Sequence, residues 1–229
     1  MSSKNRPFVF ICAGMSLDGK ISNYKSEQIP ISSDNDKEML LDARAEADAI
    51  LVGGNTLRQD DPSLTLKTQK RKNDRIRAGK SAEPIKITVV SNAGSLDLDG
   101  KFFTEGEGDK MIFTTAKTTD RRIEEIRKKA KVYVLGEKIV DLEKMMFFLF
   151  EEGIKTILVE GGGELNASLL EKDLVDEIRL KIGDLIIGGR DAATLVDGEG
   201  FDLLGAKKVK FQSVVQGKNH LIVKVKVVK

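Results

Sequence analysis

The chain has 229 residues, with 38 Lys and Arg against 36 Asp and Glu, one His, one Cys and no Trp. One cysteine forbids an intrachain disulfide, and one His with one Cys cannot build a Cys/His zinc site, so no metal is expected. A net charge of +2 sets up no field that demands nucleic acid as a partner. The polar start Met1-Ser2-Ser3-Lys4 and the short apolar run Phe8–Ala13 do not make a signal peptide. The longest later apolar run, Met145–Phe150, is far below the ~20 residues that span a bilayer, so a cytoplasmic chain with no membrane partner is expected.

In chain order, Phe8–Ala13 reads as a buried strand ending at Gly14. Ser32-Ser33-Asp34 offers N-cap residues for a helix over Asp36–Ala47. Ala49–Val52 is a second buried strand, stopped by the glycine loop Gly53-Gly54. The basic stretch Lys67–Lys80, almost without apolar residues, reads as a long exposed loop. Strands follow at Ile85–Val90, Met111–Thr115 and Val132–Leu135, with a turn-rich piece before the second and helices over Asp120–Ala130 and Asp141–Glu152. Lys155–Glu160, Gly161-Gly162-Gly163 and a helix through Leu170 form the cleanest strand–turn–helix unit. The end is β alone: Glu177–Ile187, Lys207–Val215 and His220–Val228. Alternating β and α units predict one α/β domain over residues 1–229, with a mostly parallel mixed sheet and an antiparallel C-terminal edge.

Gly161, Gly162 and Gly163 let backbone approach a ligand closely, and the first helical N–H groups, at Glu164, Leu165 and Asn166, favour an anion. The segment is therefore either a pyrophosphate cradle or a bare βα turn; Asn166 at the last position breaks G-x-G-x-x-G. Glu160 ends its strand at the carboxyl edge, where ligands of open α/β sheets collect, or is simply solvated. Ser16-Leu17-Asp18-Gly19-Lys20 reads as a β-turn centred on Asp-Gly, with a site loop as the alternative. In the loop from Gly53 to Pro62, Thr56 could donate to a phosphate, and Asp60 with Asp61 is a carboxylate pair or a helix stop. Arg44 is a surface ion pair with Glu46 and Asp48, or a bidentate clamp if a phosphate faces it. His220, in an alternating strand, reads as structural.

Five segments occur in register from about residue 7 to the end. They are Met15-Ser16-Leu17-Asp18-Gly19-Lys20; Gly53-x-x-Thr56-x-x-x-Asp60-Asp61-Pro62-x-Leu64-Thr65; Glu160-Gly161-Gly162-Gly163; Leu174-Val175-Asp176-Glu177; and Gly188-Gly189 with Val196-Asp197-Gly198-Glu199-Gly200. This pattern resembles the riboflavin-pathway reductases that act on 2,5-diamino-6-ribosylamino-4(3H)-pyrimidinone 5′-phosphate, above all their stand-alone type. The resemblance implies a dihydrofolate-reductase-like fold, a homodimer, and NADPH, with NADH as the other nicotinamide cofactor. It implies nucleotide contacts at Ser32, Thr56, Asp60, Ser91, Gly161, Gly162, Gly163, Glu164, Leu165 and Asn166. Arg44, Lys67 and Glu160 are implied for the phosphorylated pyrimidine, and Glu160 with Asp60 for assistance to hydride transfer at C1′. Bifunctional bacterial relatives carry a first-strand lysine where Cys12 stands here, and Lys20 does not inherit its role. The scarce His and Cys also fit a lone reductase without a fused zinc deaminase. Competing readings are a pterin reductase of the same fold, a non-catalytic nucleotide-binding module, and RNA binding through residues 67–80.

Overall fold

The computed structural model describes residues 5–25, 30 and 37–229; Ser32 and the expected cap Ser32-Ser33-Asp34 lie outside them. Short apolar runs closed by glycine or acidic residues become β1 (Phe8–Met15), β2 (Ala49–Gly53), β3 (Ile85–Val89), β4 (Lys110–Thr114), β5 (Lys131–Val134) and β6 (Thr156–Gly161). Longer alternating segments become β7 (Glu177–Gly183), β8 (Val209–Gln216) and β9 (His220–Val227). Helices α1 (Glu38–Glu46), α2 (Gly54–Asp60), α3 (Gln69–Arg77), α4 (Lys101–Thr104), α5 (Asp120–Arg127), α6 (Leu142–Glu151) and α7 (Gly163–Glu171) connect them. The strand order is β5-β4-β3-β2-β6-β1-β7-β9-β8. Parallel pairing joins β2 to β3, β3 to β4, β4 to β5 and β1 to β7. Antiparallel pairing joins β7 to β9 and β9 to β8. The expected α/β class, with a parallel majority and an antiparallel end, is what forms.

The chain divides into two compact units, Met1–Phe8 with Leu41–Leu158, and Val9–Leu40 with Val159–Lys229. In the first, Ile50, Leu51, Val52, Ile87, Ile112 and Phe113 on the strands are fully buried together with Met145, Met146 and Leu149 of α6. In the second, Val9, Ile11, Val159 and Val175 are fully buried, and Leu165, Leu169 and Leu170 supply the inner side of α7.

The expected exposed loop at 67–80 is instead mostly helix. Thr68 caps α3 by accepting from Arg71 N at 3.4 Å, and Lys70–Asp74 forms an i,i+4 pair at 3.1 Å. What seats this helix is a cation rather than an apolar stripe. Arg75 is 3% exposed and donates to the Ala45, Ala47 and Ser81 carbonyl oxygens, closing the end of α1. The expected glycine loop at 53–54 is likewise the start of a helix, because Gly53 is the N-cap of α2. Asp61 then stops α2 in the left-handed region at φ 40°, as an Asp-Asp-Pro helix stop would. In the turn-rich piece before β4, α4 forms one short helical turn. The first C-terminal strand ends at Gly183, four residues before Ile187.

Candidate active site

In the first unit, β2 and β3 run parallel with Gly53 beside Val89, so the chain leaves both strands at one sheet edge. Thr56, third residue of α2, and Ser91, two residues past β3, are placed at that edge. Gly53, the N-cap of α2, has no side chain to make a capping hydrogen bond. Gly54 is required for packing: a Cβ there would stand 2.7 Å from Val90 Cγ2. Arg58 Nη1, 3.4 Å from Ser95 Oγ, ties α2 to the turn after Ser91, whose carbonyl oxygen accepts from Thr115 Oγ1 at 2.6 Å. The expected Asp60/Asp61 pair is divided. Asp61 Oδ1 accepts from Phe102 N at 3.4 Å at the start of α4, while Asp60 is half-buried at the end of α2.

Residues 61–67 then follow an unusual path, with Asp61, Leu64 and Lys67 at φ 40°, 50° and 63°. Such conformations cost about 1–3 kcal/mol each and persist where packing over-determines them; here Leu64 and Leu66 are fully buried. Arg44 is not the expected surface ion pair. It is 7% exposed and its Nη1 donates to the Thr65 carbonyl oxygen at 2.8 Å, while Asp48 pairs with Lys80 at 2.8 Å. Lys67 Nζ lies 2.8 Å from Ser63 Oγ and 3.5 Å from Glu105 Oε2, with its side chain half exposed. The structure thus brings Arg44 and Lys67 onto one segment of unusual backbone, each donating a hydrogen bond to it.

In the second unit, Glu160 is the half-buried penultimate residue of β6, and Gly161 follows at φ 92°, a conformation that favours glycine. Gly162 caps α7 with no side-chain hydrogen bond, so the N–H groups of the first turn, which include Gly163, Glu164 and Leu165, face outward along the helix dipole. Asn166 is 1% exposed; its Nδ2 donates to the Leu195 carbonyl oxygen at 2.8 Å, and its Oδ1 is buried with no hydrogen-bond partner. A buried acceptor without a donor is costly unless something completes it. Uncapped amides and an orphan acceptor on one turn fit a ligand that carries both an anion and hydroxyl or amide donors.

The turn Ser16–Lys20 has the β-turn character its Asp-Gly predicts, with Gly19 N donating to the Ser16 carbonyl oxygen at 3.0 Å. Asp18 accepts from Ser16 Oγ at 2.6 Å and from the Ile187 and Gly188 amides at 3.1 and 2.7 Å. The Ser16 hydroxyl and then those two amides lower its pKa to about 2. Cys12 is buried opposite Arg179 of β7, whose guanidinium stacks 4.1 Å from the Phe10 ring centre. His220 opens β9 against Gly217, a structural place. Thr194 and Asp197 also touch the glycine turn; the sequence pattern names Asp197 only within the Val196–Gly200 motif, without a role, and Thr194 not at all. Among the described residues no cluster of His, Cys, Asp and Glu could hold a metal ion, and no helix is long and apolar enough to cross a membrane.

Residues 7–223 match the RibD C-terminal domain. The chain is 38% identical over 196 residues to the 2,5-diamino-6-ribosylamino-4(3H)-pyrimidinone 5′-phosphate reductase of Archaeoglobus fulgidus, covering 86% of this chain and 89% of that one. Its fold is shared with a pyrimidine reductase-like protein from Corynebacterium diphtheriae, at TM-score 0.84 and 20% identity over 98% of this chain and 93% of the other. A dihydrofolate reductase from Enterococcus faecalis, complexed with NADP(H), superposes at TM-score 0.50 and 10% identity over 97% of each chain, which makes the fold dihydrofolate-reductase-like. With its match spanning nearly all of the sequence, the chain belongs to the RibD C-terminal domain family.

Proposed function

We propose that this chain is a nicotinamide-dependent reductase that converts the ribosyl group of 2,5-diamino-6-ribosylamino-4(3H)-pyrimidinone 5′-phosphate to a ribityl group. The carrying observation is the α7 turn, where uncapped amides and the orphan Asn166 Oδ1 directly follow Glu160. The reductase from Archaeoglobus fulgidus, at 38% identity, supports the substrate assignment.

NADPH is the proposed cofactor. The residues assigned to it are Gly161, Gly162, Gly163, Glu164, Leu165, Asn166, Thr56, Asp60, Ser91 and Ser32. When bound, a reduced nicotinamide supplies the hydride that C1′ accepts. Arg44 and Lys67 bind the substrate phosphate, and their bonds to Thr65 and Ser63 hold both cations on one segment. Glu160 and Asp60 serve the reacting centre. As the C1′–O4′ bond opens, O4′ takes a proton from solvent and the amine lone pair forms a C1′=N iminium; a carboxylate beside it stabilises that cation until C1′ accepts hydride, leaving a neutral amine. One reductase domain over residues 1–229, a cytoplasmic location and association of two copies as a homodimer complete the proposal.

The test is nicotinamide oxidation followed by absorbance, with the aminated and deaminated pyrimidine phosphates and with NADPH and NADH. Turnover of the aminated substrate with NADPH is expected. Oxidation with dihydrofolate alone would select the pterin reading, and cofactor binding without oxidation of any pair would select a non-catalytic module.

A further inference from the structure

The motif Ser16–Lys20 has no part in the proposed chemistry, yet its hydrogen bonds lead to the glycine turn. Asp18 holds the Ile187 and Gly188 amides, and Leu17 N donates to the Leu185 carbonyl oxygen at 2.8 Å. Two residues on, Lys20 Nζ donates to the Ala192 carbonyl oxygen at 2.9 Å, and the Lys20 backbone forms an isolated antiparallel bridge with Thr194. Ile21 N adds a bond to the Ala193 carbonyl oxygen at 2.9 Å. Residues 185–194 are therefore fastened at both ends to the turn after β1.

From Thr194 the network reaches α7. Thr194 N and Oγ1 donate to Asp197 Oδ1 at 3.0 and 2.6 Å, and the hydroxyl also lies 2.9 Å from the Val196 carbonyl oxygen. Asp197 N donates to the Gly163 carbonyl oxygen at 3.2 Å, and the Leu195 carbonyl oxygen receives Asn166 Nδ2. The contact is tight: a Cβ on Gly163 would stand 2.1 Å from Asp197 Oδ2 and 2.6 Å from the Thr194 carbonyl oxygen. Gly163 is thus glycine because this segment presses on it.

The connection from β7 to β8, residues 184–208, contains no helix or strand. That is far beyond the ~12–15 residues past which irregular loops are uncommon and usually functional. Helix N-terminal amides bind an anion well only if they are already fixed, because ordering them on binding subtracts from affinity.

We infer that Asp18, Lys20, Thr194 and Asp197 are positioning residues that fix the first turn of α7 for a nicotinamide nucleotide, acting through the backbone of residues 185–197. This rests on the proposed reductase function. It assigns to the Ser16–Lys20 motif a task in cofactor affinity, carried through the chain at a distance from the ligand.

The full-length chain is tested as Thr194→Val, which keeps volume and deletes the hydroxyl, and as Thr194→Ser, which restores it. NADPH affinity is read by nicotinamide fluorescence, the first-turn amides of α7 by hydrogen exchange, and stability by thermal unfolding. Thr194→Val is expected to weaken NADPH binding about tenfold, to speed exchange at Gly163–Leu165, and to leave the pyrimidine KM within about twofold. Thr194→Ser is expected to bind as the unaltered chain does. If Thr194→Val fails to fold, Asp18→Asn, at the far end of the network, is read in the same three ways, with weaker NADPH binding again expected. Unchanged affinity and exchange in a folded variant would overturn the inference alone. Equal losses for nucleotide and pyrimidine, with a large fall in unfolding temperature, would reduce the network to a structural staple and overturn it too. An unaltered chain that binds neither NADPH nor NADH would overturn the inference and the reductase reading together.

Discussion

Arg44 carries its charge in a position only 7% exposed, with one nitrogen committed to the Thr65 carbonyl oxygen. The planar fork holds its donors in a fixed geometry suited to bidentate binding of a phosphate, which the single ammonium of a lysine does not. Arg44→Lys is expected to raise the KM for the phosphorylated pyrimidine by about ten- to a hundredfold, the worth of a charged hydrogen bond, while NADPH affinity stays within about twofold. A pterin substrate would not respond in this way. Glu160→Gln and Asp60→Asn are expected to lower kcat by about a hundredfold each, at the low end of acid–base and charge assistance, with single-turnover kinetics as the check. Turnover near that of the unaltered chain in both would remove the carboxylates from the chemistry. Asp18 makes a different, pH-dependent contribution. Its folded pKa of about 2 lies below the ordinary 3.8, so its stabilisation is complete above that ordinary value and is lost as pH falls through 2. Acid unfolding followed between about pH 5 and 2 is expected to show a shallower stability loss in Asp18→Asn, because the variant has no carboxylate to protonate there.

Elements whose burial is apolar were legible in the sequence. β2 and β6 show as short continuous apolar runs, and the β6–glycine–α7 unit was placed to within a residue or two. α3 was not legible, because its anchor is Arg75 reaching the carbonyl oxygens at the end of α1, and periodicity registers apolar side chains alone. The site divided along the same line. Glu160 and the three glycines announce themselves by position, whereas the shared seat of Arg44 and Lys67 depends on left-handed residues at 64 and 67 that composition does not reveal. Asp61 is legible as a helix stop, but its side-chain partner, Phe102 N, is forty-one positions away and is not. β3 holds a further buried cation. Lys86 is fully buried, and its Nζ donates to the Phe102 and Glu105 carbonyl oxygens around the end of α4. Burial, with repulsion from Lys110 behind it, lowers its pKa from 10.5 to about 8. Below pH 8 the charged amine opposes folding in full; from 8 to 10.5 the unfolded chain binds more protons, so that opposition fades and stability rises. Lys86→Met lacks this rise and leaves the α4 carbonyl oxygens undonated, at about 1–3 kcal/mol for a buried one. Denaturant unfolding across this range is expected to show the deficit of Lys86→Met growing with pH.

At the scale of the whole molecule, β8 is exposed along its whole length among the described residues. It ends the strand order and pairs only with β9. Its register sets Val209 opposite Val227, Phe211 opposite Val225 and Val214 opposite Val223, so these three continue the face on which β9 is buried. On β8 that face is open, with Val209 42%, Phe211 66% and Val214 57% exposed. Edge strands are commonly blunted by charge or proline; here Lys210 is the only charged residue, and a register shift lies between Phe211 and Ser213. A second copy is the occupant this surface suits. A two-fold axis brings like residues together, and a row of apolar side chains is complementary to itself where a charged row is not. For the proposed homodimer we infer an interface on the apolar side of β8. Light scattering on the unaltered chain is expected to give twice the chain mass, and Phe211→Asp with Val214→Asp half of that, because each association would bury four carboxylates against one another. The double variant should keep its fold, since both side chains are exposed within one chain, and circular dichroism checks this. A dimer that survives the double substitution would move the interface off β8, and a monomeric unaltered chain would remove the homodimer itself.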